Sequence, residues 1–363
     1  MRSTHRAILS RAILSGCTLA LACGILAASS VLAQSSSNGT PPSAANNPYA
    51  MSPVGKPLLG PSVALPELKA QYPNKVEALF DLTYADISGY RQLTLDLYHV
   101  SGAGPRPAVV FVHGGSFLNG GPRARHPMWG STDGLMAYIA AQGFVAVPIT
   151  YRLSSEAKWP AQLEDIKAAV RWLRANAARY GVDPQHIGVW GESAGGGAAA
   201  MAGTTCGVSE FEGEGGNLDQ SSCVQAAVDW YGVSDMNQLD SQAPANAILI
   251  HNSPDSSQSK VLGCVLHFSC PASVVNKANP IAYVGPRTTS AAFLVMHGDA
   301  DRAVSYKQAQ ILYDALHEKG LNAKLVIVPG TDHYFMGANA QQAKQILDTV
   351  VSFLHENLSS GSK

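Results

Sequence analysis

Gly191-Glu192-Ser193-Ala194-Gly195 has the form G-x-S-x-G, preceded by the apolar run Ile187-Gly188-Val189-Trp190 and followed by a stretch made almost entirely of Ala and Gly. A serine in this setting sits on a strand-to-helix turn so sharp that its hydroxyl projects alone, and the crowding on either side suits only glycine. The same turn puts Ser193 at a helix N-terminus, where free N–H groups stabilise negative charge. A serine hydroxyl is a poor nucleophile until a base takes its proton, so a histidine and a carboxylate to orient it must come from elsewhere in the chain. His333 follows the apolar run that ends at Val328, and Asp301 follows the one that ends at Met296. Asp299, close by, and Asp235, beyond the strand after the serine, are rival acids; chain order and loop position favour Asp301. His113-Gly114-Gly115-Ser116 also follows an apolar run, and the backbone N–H groups of Gly115 and Ser116, joined by that of Ala194, are the expected donors to an oxyanion. His113, His251, His267 and His297 are read as structural, Asp332 as shaping its turn, and Phe117, Trp159 and Tyr231 as candidate pocket walls.

Groups this far apart in sequence meet only if the elements carrying them end along one crevice, as strand ends do in an open parallel sheet. The sequence predicts such a sheet. Residues 108–112, 145–149, 187–190, 224–230, 293–296 and 324–328 are short apolar runs, the pattern of strands covered on both faces. Residues 135–142, 167–180, 194–202, 306–316 and 340–354 have helical character and fall between or after them. Residues 79–84 and 93–98 alternate apolar and polar around Ser88-Gly89, as paired strands at a sheet edge would. The predicted fold class is α/β, a mostly parallel central sheet with helices on both faces. Residues 206–223 and 236–280 break the alternation and are expected to be lids or binding loops.

The 363 residues are 46% hydrophobic and 14% charged, a globular composition. Lys plus Arg number 25 against 26 Asp plus Glu, which supplies no excess charge for nucleic acid. Arg2, Arg6 and Arg11 precede the apolar residues 12–28, so residues 1–33 are expected to be a signal peptide cut before Gln34, leaving no stable membrane insertion. Residues 34–74 read as a flexible linker and 75–358 as the catalytic domain, with the insertions at 206–223 and 236–280. The expected location is secreted or periplasmic. Without the leader the cysteines are Cys206, Cys223, Cys264 and Cys270, which implies two disulfides in an oxidising compartment. Three pairings are open, and the local one, Cys206 with Cys223 and Cys264 with Cys270, closes the smallest loops. No ligand spacing for a metal is present.

His113-Gly114-Gly115 with Phe117, Tyr151-Arg152-Leu153, Asp183-Pro184, the elbow around Ser193, His297-Gly298 with Asp301, and His333 together resemble the α/β-hydrolase esterases of the hormone-sensitive-lipase and bifunctional feruloyl/acetyl xylan esterase group. The resemblance runs from about residue 83 to residue 354. It implies a cofactor-free carboxylic ester hydrolase working through an acyl-enzyme, with Ser193, Asp301 and His333 at the triad positions and Gly115, Ser116 and Ala194 at the oxyanion positions. Ser116 stands where the lipase-like members carry a third glycine, which points to the xylan-associated side and to small-molecule or polysaccharide-linked acetyl, feruloyl or short acyl esters. The alternatives are a peptidase or amidase of the same fold, or a non-catalytic binding member.

Overall fold

The apolar runs pair as the sequence predicts, and their register brings the chemistry-bearing loops to one edge. The computed structural model describes residues 68–102, 104–285 and 291–359. The expected leader and most of the expected linker lie outside the described residues. The strands are β1 (Lys69–Tyr72), β2 (Val76–Ala85), β3 (Leu93–Val100), β4 (Arg106–Val112), β5 (Val145–Ile149), β6 (Val182–Glu192), β7 (Ala226–Trp230), β8 (Ala292–Gly298) and β9 (Ala323–Val328). They form one sheet in the order β1-β2-β3-β5-β4-β6-β7-β8-β9. The pairs along β1-β2-β3-β5 are antiparallel, and those from β5 to β9 are parallel. After β4 the chain crosses to β5 on one side and returns to β6 on the other. The ends of β4 and β6 therefore flank a topological switch point, where crevices form in open α/β sheets.

The helices are α1 (Thr132–Ala141), α2 (Ala161–Ala175), α3 (Ala177–Tyr180), α4 (Ala194–Thr204), α5 (Leu239–Gln242), α6 (Ser257–Leu262), α7 (Ala272–Asn276), α8 (Lys307–Glu318) and α9 (Ala340–Leu358). Successive strand residues face opposite cores. Ala108, Val110 and Val112 of β4 pack with Leu163 and Ile166 of α2 and Leu312 of α8. Val109 and Phe111 pack on the other face with Ile139 of α1 and Val350 and Leu354 of α9.

Three expectations are corrected. Lys69–Tyr72, inside the stretch read as linker, is the edge strand β1, paired with β2 from Lys69↔Leu79 to Tyr72↔Val76, so the β2–β3 hairpin is not itself the edge. Its four residues carry no apolar run and alternate between exposed and half-buried, which leaves little periodicity to read. The helix expected from residue 167 starts at Ala161 and breaks at Asn176 before α3, because Leu163 and Ile166 extend its apolar stripe by a turn and a half between polar neighbours. The insertion at 206–223 is not a lid. Glu212 within it accepts hydrogen bonds from Lys167 Nζ at 2.9 Å and Arg171 Nη1 at 2.7 Å, and Cys223 O accepts one from Arg174 Nη2 at 2.6 Å, which ties the segment to α2. The disulfides are Cys206–Cys223 and Cys264–Cys270, the local pairing. Among the described residues no helix is long and apolar enough to cross a membrane.

Candidate active site

Ser193 follows β6 directly and precedes α4. Its backbone is held at φ 55°, ψ −120°, with its N–H donating to Trp230 O at the end of β7 (2.8 Å). The parallel register Val112↔Gly191 brings the end of β4 alongside the elbow. A Cβ on Gly195 would lie inside contact distance of Val112 O, which explains the glycine after the serine: α4 starts against the end of β4 with no room for a side chain.

His333 Nε2 lies 2.9 Å from Ser193 Oγ, and His333 Nδ1 lies 2.7 Å from Asp301 Oδ2. A carboxylate on Nδ1 fixes the proton there, leaving Nε2 as the acceptor for the serine hydroxyl. Asp301 is buried, and its Oδ1 accepts from the N–H groups of Ala303 and Val304, each at 2.8 Å. His297 Nε2 donates to Val304 O at 2.9 Å and lies 3.2 Å from Asp301 Oδ2. Burial alone would raise the Asp301 pKa; the hydrogen bonds from His297 and His333 outweigh it and hold the carboxyl well below the ordinary carboxylate range. His297 is therefore structural in the expected sense, yet it acts on the acid. The rival acids are otherwise engaged. Asp299 Oδ1 accepts from Gly330 N at 2.6 Å, bracing the histidine loop, and Asp235 binds Asn237 and Asn279 in the second insertion. Asp332 shapes its turn by accepting from His333 N at 2.8 Å and pairing with Arg302.

The loop after β4 is tightly wound. Gly115 has φ 102°, and Ser116 and Phe117 follow at 60° and 58°. Gly115 O accepts from Leu118 N at 2.9 Å and Asn119 N at 3.2 Å, which fixes the turn through its carbonyl. His113, stacked on Tyr151 with ring centroids 4.3 Å apart, is pushed down to about 4 by burial, so it is a neutral structural ring. Of the eleven non-glycine residues with positive φ among those described, Ser116, Phe117, Ser193, Tyr231, Tyr334 and Phe335 surround this site. Each such residue costs of order 1–3 kcal/mol, and such strain collects at functional sites.

A cavity of about 160 Å³ opens between Ser193, His333 and the second insertion. Phe117 and Trp159 line it. Tyr231 does not: it is fully buried beneath the histidine, its ring centroid 4.9 Å from that of His333. A residue right after a buried strand turns down into the core as readily as up into the crevice, and no spacing rule distinguishes the two. His267 is not among the lining residues, whereas His251, read as structural, is. The sequence reading also omitted Glu192, whose Oε1 accepts from Gly114 N at 3.2 Å and whose Oε2 lies 2.8 Å from His126 Nε2. Its place inside the G-x-S-x-G turn is the signal that singles it out.

The BD-FAE family profile matches residues 95–316 of this chain. The chain belongs to the BD-FAE family. This BD-FAE protein is 27% identical over 301 residues to Esterase LipQ of Mycobacterium tuberculosis, covering 80% of this chain and 65% of that protein. It is 28% identical over 270 residues to the Probable carboxylic ester hydrolase LipM of the same organism, covering 74% of this chain and 57% of that protein. The chain thus spans 57–65% of the length of these curated relatives. Among solved structures, a truncated form of carbohydrate esterase from gut microbiota superposes with a TM-score of 0.66 at 28% identity, covering 80% of this chain and 99% of that one. Butyrate-bound Thermogutta terrifontis esterase 2 superposes with a TM-score of 0.60 at 25% identity, covering 76% of this chain and 93% of that one. The BD-FAE chain has the α/β-hydrolase fold these structures share, with a large, mostly parallel sheet between helices.

Proposed function

We propose that this protein is a serine carboxylic ester hydrolase acting on small acyl esters, with Ser193 as nucleophile, His333 as base and acid, and Asp301 as the group that orients the imidazole. The observation that carries this reading is the unbroken relay of 2.9 Å and 2.7 Å from Ser193 Oγ through His333 to Asp301, built from three separate strand ends. Ser193 Oγ attacks the ester carbonyl while its proton passes to His333 Nε2, giving a tetrahedral oxyanion. The backbone N–H groups of Gly115, Ser116 and Ala194 receive that oxyanion; one such donor typically contributes about 3 kcal/mol to the transition state. Collapse breaks the bond to the leaving alkoxide, which takes the proton from His333. Water then gives its proton to His333 and its hydroxide to the acyl carbon, and the carboxylic acid departs as Ser193 regains its proton.

The size of the cavity supports a small substrate group. At about 160 Å³ it compares with an apolar cavity of about 150 Å³ that holds a benzene ring. It accommodates an acetyl to butyryl chain or a single ring. Family membership and likeness to a carbohydrate esterase favour acetyl or feruloyl groups carried by cell-wall polysaccharide. The two disulfides favour a secreted or periplasmic location. The test is hydrolysis of p-nitrophenyl acetate, butyrate and laurate and of methyl ferulate, with Ser193→Ala as control. Turnover is expected to fall from acetate or butyrate to laurate and to vanish to background in the variant. Hydrolysis retained by the folded Ser193→Ala protein would remove the serine from the mechanism, and laurate as the best substrate would refute the small pocket.

A further inference from the structure

The cavity beside Ser193 is apolar along much of its wall, from Phe117 and Met201 to Val261 and Val304. The second insertion adds to that wall a single ionisable side chain, His251, only 3% exposed. Asp240, on α5, accepts through one oxygen from the His251 backbone N–H at 2.9 Å and from the ring Nδ1 at 3.0 Å. The two contacts orient the ring and place its proton on Nδ1. Nε2 is then a lone-pair acceptor, buried, and without a hydrogen-bond partner among the described residues. Tying residue 251 to α5 uses the backbone N–H and one ring nitrogen and leaves the second nitrogen unexplained. An unpaired buried acceptor works against folding, and a site built around one gains most from a ligand that supplies the missing donor.

We infer that His251 sets substrate specificity: its Nε2 accepts a hydrogen bond from a hydroxyl group on the part of the ester that occupies this cavity, so the preferred substrates are hydroxyl-bearing esters. The inference rests on the reading of Ser193 as nucleophile. The hydroxyl can sit on the acyl side or the alcohol side of the ester, and two substrate pairs separate these sources. Methyl 3-hydroxybutyrate against methyl butyrate reports on the acyl side, and 2-hydroxyethyl butyrate against propyl butyrate on the alcohol side.

The experiment measures kcat and KM for both pairs with the wild type, His251→Leu and His251→Gln. The ratio within each pair cancels any loss common to both members, so a merely structural role for the imidazole leaves it unmoved. The wild type is expected to favour the hydroxylated member of one pair by about tenfold, the worth of one hydrogen bond. His251→Leu should bring that ratio to about one, and His251→Gln, which keeps an acceptor near the same point, should restore part of it. A wild-type ratio near one in both pairs, or a ratio that survives in His251→Leu, overturns the inference. Should the wild type hydrolyse none of these esters, the nucleophile reading fails instead, and calorimetry decides on His251. Tighter binding of 3-hydroxybutyrate than butyrate, or of 2-hydroxyethyl butyrate than propyl butyrate, lost in the leucine variant or, if that does not fold, weakened in the glutamine variant, supports the assignment; equal binding within both pairs overturns it.

Discussion

Asp301 collects more donors than a structural carboxylate needs: two backbone N–H groups on Oδ1, and His333 with His297 beside Oδ2. Burial works against its charge, and these contacts reverse the balance, so its folded pKa lies below its unfolded one. A carboxyl with a depressed folded pKa contributes stability that is present above its unfolded pKa and lost only as pH falls through the folded value. Asp301 therefore stays ionised through mildly acidic pH, and the imidazole keeps its orientation there. Asp301→Asn removes the charge and offers His333 Nδ1 an amide that can donate as well as accept, which permits the wrong tautomer. In the proposed mechanism kcat should drop by about 10⁴ while the fold remains. Steady-state kinetics alongside circular dichroism check this, and a loss below tenfold would mean that another group orients the histidine.

Element α4 carries the tightest geometric demand in the fold. It begins at the serine and runs between β6, β7 and the end of β4, and its first residues are Ala194, Gly195, Gly196 and Gly197. Gly195→Ala should destabilise by upward of about 3 kcal/mol, because the added methyl meets the backbone oxygen of Val112, which has no rotamer to change. Gly121→Ala, with open space around its Cβ, should be close to neutral. Urea unfolding of the two variants measures the contrast, and equal midpoints would show that the start of α4 yields easily. Elements of this kind were legible before the structure, since an apolar strand, a serine turn and a run of Ala and Gly constrain one another. Strands β4, β5, β7 and β8 and the second half of β6 were legible for a similar reason: burial on both faces leaves unbroken apolar runs such as Ala108-Val109-Val110-Phe111-Val112. Strand β9, though at the other edge and mostly half-buried, keeps the apolar run Leu325-Val326-Ile327-Val328. Edge strand β1 was not, because one paired side and little burial leave almost no pattern in Lys69-Ala70-Gln71-Tyr72. The side of the crevice to which Tyr231 turns at the end of β7 follows no spacing rule, and the arrival of His251 in the cavity depends on how an aperiodic insertion folds back.

At the scale of the whole molecule the two insertions divide stability from specificity. Residues 206–223 lie on α2, held by Glu212 and the Cys206–Cys223 bond, and contribute no lining to the cavity beside Ser193. Residues 236–280 supply Met236, His251, Val261 and Ala278 to that cavity, and Cys264–Cys270 closes a short loop just beyond Val261. Each bond restrains the unfolded chain according to the loop it closes: a separation of 17 residues corresponds to about 3 kcal/mol and one of 6 residues to about 2 kcal/mol. Replacing Cys206 and Cys223 together by alanine should therefore cost more stability and leave the ratio of acetate to butyrate turnover unchanged. Replacing Cys264 and Cys270 should cost less and shift that ratio, because the segment that roofs the cavity loses a restraint. Thermal unfolding combined with chain-length profiles of both double variants distinguishes the roles. If the first pair altered the profile as much as the second, the back of α2 would be coupled to the cavity, and the insertions would act as one unit.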